Sequence, residues 1–429
     1  MFRISSGRTS KITPLGIVAV ATLLLMLLFI PYASFASTWT ARVSATNAPL
    51  TPMTLFKLHY NLTSPNAQSG GNFGFSVAAN SEIVVVGAPY ENSSGYLYAG
   101  NAYVFNATTG HLIYNLTSPK PQSLGGFGDS VAADTSFVVV GAPGENASGH
   151  FAAGHVYVFN ATTGVLIHTL ASPKAQYTGL FGYSVAAIGK IVVVGAPQET
   201  ASGYTYAGNA YVFDAKTGHL IYDLTTPAPA TYGHFGWSVA TTAKIVVVGA
   251  MGETASGYSM AGHAYVFNAK TGHLVYTFTS PTPQTDGFFG SSVAADARFV
   301  VVGAYGENAS GYSYAGKAYT FNAATGHLIY NLTSPSPQSG GSFGYSVAVS
   351  GNRIVVGAAF ESSKGQTEAG NAYAFNAKNG HLVYTFTSPN AQFLGYFGYS
   401  VAATAKIVVV GAMGETASGY SMAGHAYVF

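Results

Sequence analysis

The chain has 429 residues, of which only 7% are Asp, Glu, Lys or Arg; its net charge is +2 and it has no cysteine. So sparse a charge argues against a nucleic-acid partner, which needs clustered Lys and Arg against phosphate. The missing thiols exclude a disulfide framework, thiolate chemistry and Cys-ligated zinc.

In chain order, Arg3, Arg8 and Lys11 precede an apolar run from Leu15 to Ile30, followed by Ser34-Phe35-Ala36. Basic residues, an apolar stretch and a small-x-small site make residues 1–36 a secretory signal peptide cleaved after Ala36. The run is shorter than the roughly 20 residues of a spanning helix. An uncleaved signal anchor is the alternative, and its flanking positive charge would also leave the rest of the chain outside. Residues 37–50, rich in Ser, Thr, Asn and Pro, form a short spacer. The expected location is secreted or cell-surface, with membrane contact only through such an anchor.

From residue 51 onward the chain is a repeat. Phe-Gly recurs at Phe73, Phe127, Phe181, Phe235, Phe289, Phe343 and Phe397, always 54 residues apart, and equal spacing without insertion marks copies of one structural unit. The unit 127–180 holds four short apolar runs, SVAA, FVVVGA, HVYVF and VLIHTL, each bounded by Gly, Pro, Asn or Ser. That is strand punctuation, with no 3.6-residue period for a helix. Four strands per unit, repeated radially, predict an all-β, seven-bladed propeller of four antiparallel strands per blade. Tyr103 and Phe105, two apart, share one face of the third strand. Gly87 and its equivalents end the second strand, where glycine implies either positive φ or close backbone approach. The last unit stops at Phe429, after its third strand, while NLTSP at 61–65 matches NLTSP at 115–119. Leu55 to Thr63 therefore supplies the missing fourth strand and closes the ring, where an open stack would need polar caps.

Phe-Gly-x-Ser-Val, Val-Val-Gly-Ala-Pro (Gly87-Ala88-Pro89, Gly141-Ala142-Pro143, Gly195-Ala196-Pro197) and Gly-x-x-Tyr-Val-Phe together resemble the FG-GAP repeat. That family includes the propeller of integrin α-subunits and many prokaryotic secreted or surface proteins. Later units depart at the proline, with Met251, Tyr305, Ala359 and Met413. Integrin-type repeats often carry an acidic calcium loop between the first two strands. Here those connectors hold at most one acid each, as in Asn80-Ser81-Glu82, too few for six to eight oxygen ligands. The resemblance therefore implies a metal-free propeller, closest to the prokaryotic surface proteins.

The connections between strands two and three, and from strand four to the next blade, are long, and long loops on a rigid scaffold are where binding resides. Glu91, Glu145, Glu199, Glu253, Glu307, Glu361 and Glu415 share one position in the first of these loops. They read either as a carboxylate ring for cations or sugar hydroxyls, or as structural groups that take backbone N–H bonds in their own Ser-Gly turns. Seven equal copies favour the structural reading. Tyr96, Tyr204, Tyr258, Tyr312 and Tyr420 occupy the loop tip, where tyrosine offers broad contact area at low entropic cost; the alternative is a ring folded over its own loop. Tyr90, Tyr232, His234, Trp237, Asp286, Phe360 and Tyr396 differ between blades, and Trp237, Tyr232 and Phe360 join the tip tyrosines as candidate ligand contacts. His111, His219, His273, His327 and His381 begin the fourth strand in solvent.

No catalytic constellation, metal site or cofactor is expected. NAKTGHLVY is similar to a turn of quinone-dependent dehydrogenase propellers, but their repeated tryptophan is absent. Eight Asn-x-Ser/Thr sequons are present, several of them ordinary turn formers. Residues 244–267 and 406–429 are identical over 24 positions, so these loops are copies rather than a unique catalytic pocket. The expected function is an adhesion or interaction module for a surface protein or glycan. The alternatives are a lectin-like carbohydrate binder and a structural envelope component; an enzyme is not expected.

Overall fold

A computed structural model describes residues 56–429; the signal segment and spacer, with Trp39, lie outside the described residues. The described residues form 28 strands in seven antiparallel sheets of four. In the first blade β2 (Ser76–Ala79), β3 (Ile83–Ala88), β4 (Asn101–Asn106) and β5 (Leu112–Thr117) pair in chain order. The first strand of every blade touches the first strands of both neighbours, in an unbroken cycle that places these strands around the central axis. The fourth strand of each sheet lies at its outer edge.

The second strand reads IVVVGA or a close variant because both its faces are buried. On blade one, Val84, Val86, Tyr103 and Phe105 pack towards the seventh blade, while Ile83, Val85 and Val104 pack towards the second. Seven such apolar clusters, one per blade interface, form the core. The repeated Phe is fully buried and meets the Tyr and Phe of its own third strand, as Phe127 meets Tyr157 and Phe159 at 5.7 and 6.1 Å.

The Phe-Gly-x-Ser motif is an inter-blade fastening. Ser76 Oγ donates to the carbonyl of Gly128 in the next blade at 2.8 Å, and the same bond recurs around the ring to Ser400, which donates to Gly74 at 2.8 Å. The glycine ending the second strand is required by that approach and not by positive φ. A methyl on Gly87 would stand 1.9 Å from the Gly128 carbonyl oxygen. A second fastening lies at the rim, where Tyr114 and its equivalents donate to a turn carbonyl of the following blade, as Tyr276 Oη does to Ala324 at 2.5 Å.

Closure follows the sequence expectation. β1 (Tyr60–Leu62) pairs antiparallel with β28 (His425–Val428), in register Tyr60↔Val428 to Leu62↔Ala426, as the outer strand of the seventh blade. A polymer fastened first to last has no strand edge at its junction, which is how radial repetition protects edges.

Candidate functional site

The seven glutamates are not on the surface. Each is at most 1% exposed, and each accepts a hydrogen bond from the tyrosine of its own third strand, at 2.5 Å for Tyr211 Oη to Glu199 Oε2. The residue opening that strand supplies a second partner: Asn101, Asn209 and Asn371 donate through the amide, His155, His263 and His425 stand 2.8–3.0 Å away, and Lys317 is paired at 3.2 Å. In five blades a Ser or Thr following the previous blade's outer strand donates to the other carboxylate oxygen, Ser172 to Glu199 being one. In those five blades the carboxylate is thus a clasp between blades, held by side-chain donors, whereas Glu91 Oε1 and Glu307 Oε1 are buried without a hydrogen-bond partner. The carboxylates do not take the backbone N–H groups of the Ser-Gly turn; Ser93 and Tyr96 close that turn through reciprocal backbone bonds, with Ser94 and Gly95 at φ 54° and 83°. Burial raises the carboxyls of Glu91, Glu199 and Glu361 above the ordinary range, and their hydrogen bonds only partly oppose this.

The tip tyrosines Tyr96, Tyr204, Tyr258, Tyr312 and Tyr420 project from these turns into solvent, each 44–48% exposed. They are held apart, one per blade, and the structure does not bring them into one site.

The residues that do converge come from the variable position of Phe-Gly-x-Ser, which opens each innermost strand: Phe75, Asp129, Tyr183, Trp237, Ser291, Tyr345 and Tyr399. Phe75 meets Tyr399 at 5.1 Å, Tyr345 meets Tyr399 at 4.9 Å and Tyr183 meets Trp237 at 4.6 Å, all across blade boundaries. Tyr90, Tyr305 and Phe360, from the ends of second strands, add a further tier, at 5.7 Å from Phe75 and at 5.5 and 5.3 Å from Tyr345. These side chains are only partly exposed, so they line a cup around the axis on the long-loop face.

Asp129 is the acid among the seven variable positions. Its charge is felt by Tyr90, Tyr183 and Tyr345 in three other blades, including the far side of the axis. Walled in by protein but reached through the mouth of the cup, its carboxyl is pushed up to about 7 by burial. The surrounding phenols are pushed up as well, chiefly by burial and secondarily by each other and by Asp129, so they remain neutral donors. A ring of π-faces with one carboxylate and no Lys or Arg is an environment for a cation. Among the described residues, no three His, Asp or Glu side chains are grouped to hold a metal ion.

Of the residues singled out from the sequence, Trp237 forms part of the cup wall and Phe360 its upper tier. Tyr232 meets Tyr206 edge-on and, through His234, adjoins Trp237. Tyr90 and Tyr396 also reach the cup, Tyr396 by way of Phe360 at 5.4 Å. Phe75, Asp129, Tyr183, Tyr345 and Tyr399 are not distinguished by composition or motif in the sequence. The available signal was a position that varies from blade to blade between two constant neighbours, Gly and Ser, at the start of an inner strand.

Fold and site together define a closed seven-bladed β-propeller with an axial aromatic cup, an architecture consistent with an interaction module. Six segments match the FG-GAP repeat family, at residues 59–105, 116–159, 223–267, 277–321, 330–375 and 384–429. Each runs from one blade's outer strand through the third strand of the next. The chain belongs to that family, and residues 160–222, between two matches, complete the ring with the same strand pairing. No curated protein matches the chain.

Proposed function

We propose that the protein is an interaction module, working outside the cell, whose long-loop face receives a partner that projects a cationic side chain into the axial cup. The observation that carries this is the gathering of five aromatic rings and one carboxylate, drawn from six different blades, around the axis of the ring. Cation–π attraction is worth about 0.5–1 kcal/mol at exposed sites and about 2 kcal/mol or more when desolvated, and the Asp129 carboxylate supplies the counter-charge. The tip tyrosines and the loops around the mouth would add area and discrimination, as contacts on loops commonly do. Binding without turnover, and without metal or cofactor, is part of the proposal.

Trp237 makes the test direct, since Trp39 is the other tryptophan. In a Trp39→Phe background, titration with arginine methyl ester or tetramethylammonium should shift Trp237 emission saturably, and Asp129→Asn should weaken the response at least fivefold. An unchanged spectrum, or a response indifferent to Asp129, would remove the cup from the reading. A lectin-like reading draws on the five equivalent exposed tyrosines. It requires several equal sites per ring and loss of glycan retention in Tyr204→Ser and Tyr258→Ser with the cup intact.

A further inference from the structure

The opposite face carries a different chemistry. It is built from the turns joining strands one to two and three to four, which lie side by side, as the Ala107 N–H bond to the Glu82 carbonyl shows. Just beyond those turns six of the seven outer strands open with an exposed leucine: Leu112, Leu166, Leu220, Leu274, Leu328 and Leu382, all 38–44% exposed; in the seventh blade the equivalent Leu58 is half-buried. In four of the six blades the next residue, Ile or Val, is exposed too. On the long-loop face the exposed apolar side chains are mainly aromatic; here they are branched aliphatics arranged as a circlet.

Nine of the 13 Lys and Arg residues within 56–429 share this face. Lys57, Lys190, Lys216, Lys270, Lys378 and Lys406 are exposed, and among the described residues none of them is in an ion pair. Four carboxylates accompany them, and three are occupied in their turns: Asp134 accepts from Ser136 N and Gly189 N, Asp214 from Lys216 N and Thr217 N, and Asp296 from Arg298 N and Gly351 N. The chain also enters the ring on this face, through Phe56, which packs beneath the Arg353 guanidinium at 4.6 Å.

We propose that this face docks on an anionic lipid bilayer. Lysines meet the lipid phosphates while the leucine circlet reaches the acyl boundary, the pairing of aliphatic depth and basic charge that holds proteins at membrane interfaces. A second copy is disfavoured because two lysine-bearing faces repel. Docking this way turns the aromatic cup outward, and an uncleaved signal anchor would join the ring on the same face.

The absence of cysteine makes the test specific to position. The full chain carrying Leu220→Cys, labelled with an environment-sensitive dye, is mixed with vesicles of phosphatidylcholine containing about one third phosphatidylglycerol, and Phe393→Cys reports the long-loop face. The expected result is a blue shift and intensity gain at position 220, absent at 393 and absent with pure phosphatidylcholine. Replacing Lys216, Lys270 and Lys378 by Glu should weaken the response by roughly fivefold or more per lysine, the weight of one basic residue at an anionic surface. Vesicle association without a dye response at 220 would overturn the proposal, since attachment would then run through the apolar N-terminal segment alone. A response that appears with protein concentration and no vesicles would overturn it in favour of self-association.

Discussion

Glu199 is the most demanding test of the clasp. Its carboxylate is fully buried and accepts from Tyr211 Oη at 2.5 Å and Asn209 Nδ2 at 2.7 Å, while Ser172 binds its other oxygen from the preceding blade. Glu199→Ala orphans these donors. Ser172 and Tyr211, already 3.4 Å apart, can pair with each other, which leaves one to two buried donors unsatisfied at about 1–3 kcal/mol each. The vacated volume adds to the cost, and relief from burying a charge subtracts from it. The expected net loss is about 2–4 kcal/mol in guanidinium unfolding at pH 7. Glu199→Gln keeps the shape and one acceptor, removes the charge, and should cost less than about 1 kcal/mol. The pH dependence has a definite sign. A carboxyl raised by burial binds its proton more tightly in the folded ring than in the unfolded chain, so its contribution to stability falls as pH rises from the ordinary Glu range through the folded value, then levels off. Glu199→Gln should flatten that slope. If alanine were tolerated within about 0.5 kcal/mol, or glutamine were as damaging as alanine, the clasp would not be what joins these blades.

Other consequences follow from the same geometry. Gly195→Ala would place a methyl 2.0 Å from the Gly236 carbonyl oxygen, and it should lower stability by more than about 3 kcal/mol in thermal or chemical melts, because backbone and not a side-chain end must move. Leu62→Ala, in the short strand that closes the ring, should cost about 2–4 kcal/mol by deleting a buried side chain. Its unfolding should stay a single cooperative transition if closure is integral to the ring. Asp129, raised to about 7 by burial, destabilises the fold progressively between its ordinary range and that value. Asp129→Asn should therefore stabilise the protein at pH 8 by up to about 4 kcal/mol, the weight of a shift of this size, and leave it unchanged near pH 3. The same ionisation should govern the cup, with cation binding strengthening as pH rises through about 7, as a Trp237 titration series would show.

The sequence by itself determined the ring. A 54-residue interval without insertions, strand-length apolar runs and turn residues between them leave one radial solution, and the match of 61–65 to 115–119 identifies the strand that closes it. Those signals are local or periodic, so they can be read without coordinates. The burial of the glutamates could not be read this way. Ser172 and Tyr211 lie 27 residues before and 12 after Glu199, and only the docking of one blade on the next turns an apparent loop carboxylate into an interior clasp. The cup was hidden for the same reason. Phe75, Asp129, Tyr183, Trp237, Tyr345 and Tyr399 are separated by whole blades in the chain, and what makes them neighbours is the axis around which the inner strands stand. Repetition fixes the scaffold by making every copy alike; the site comes from the one position per copy that differs, and tertiary structure alone gathers those differences into one place.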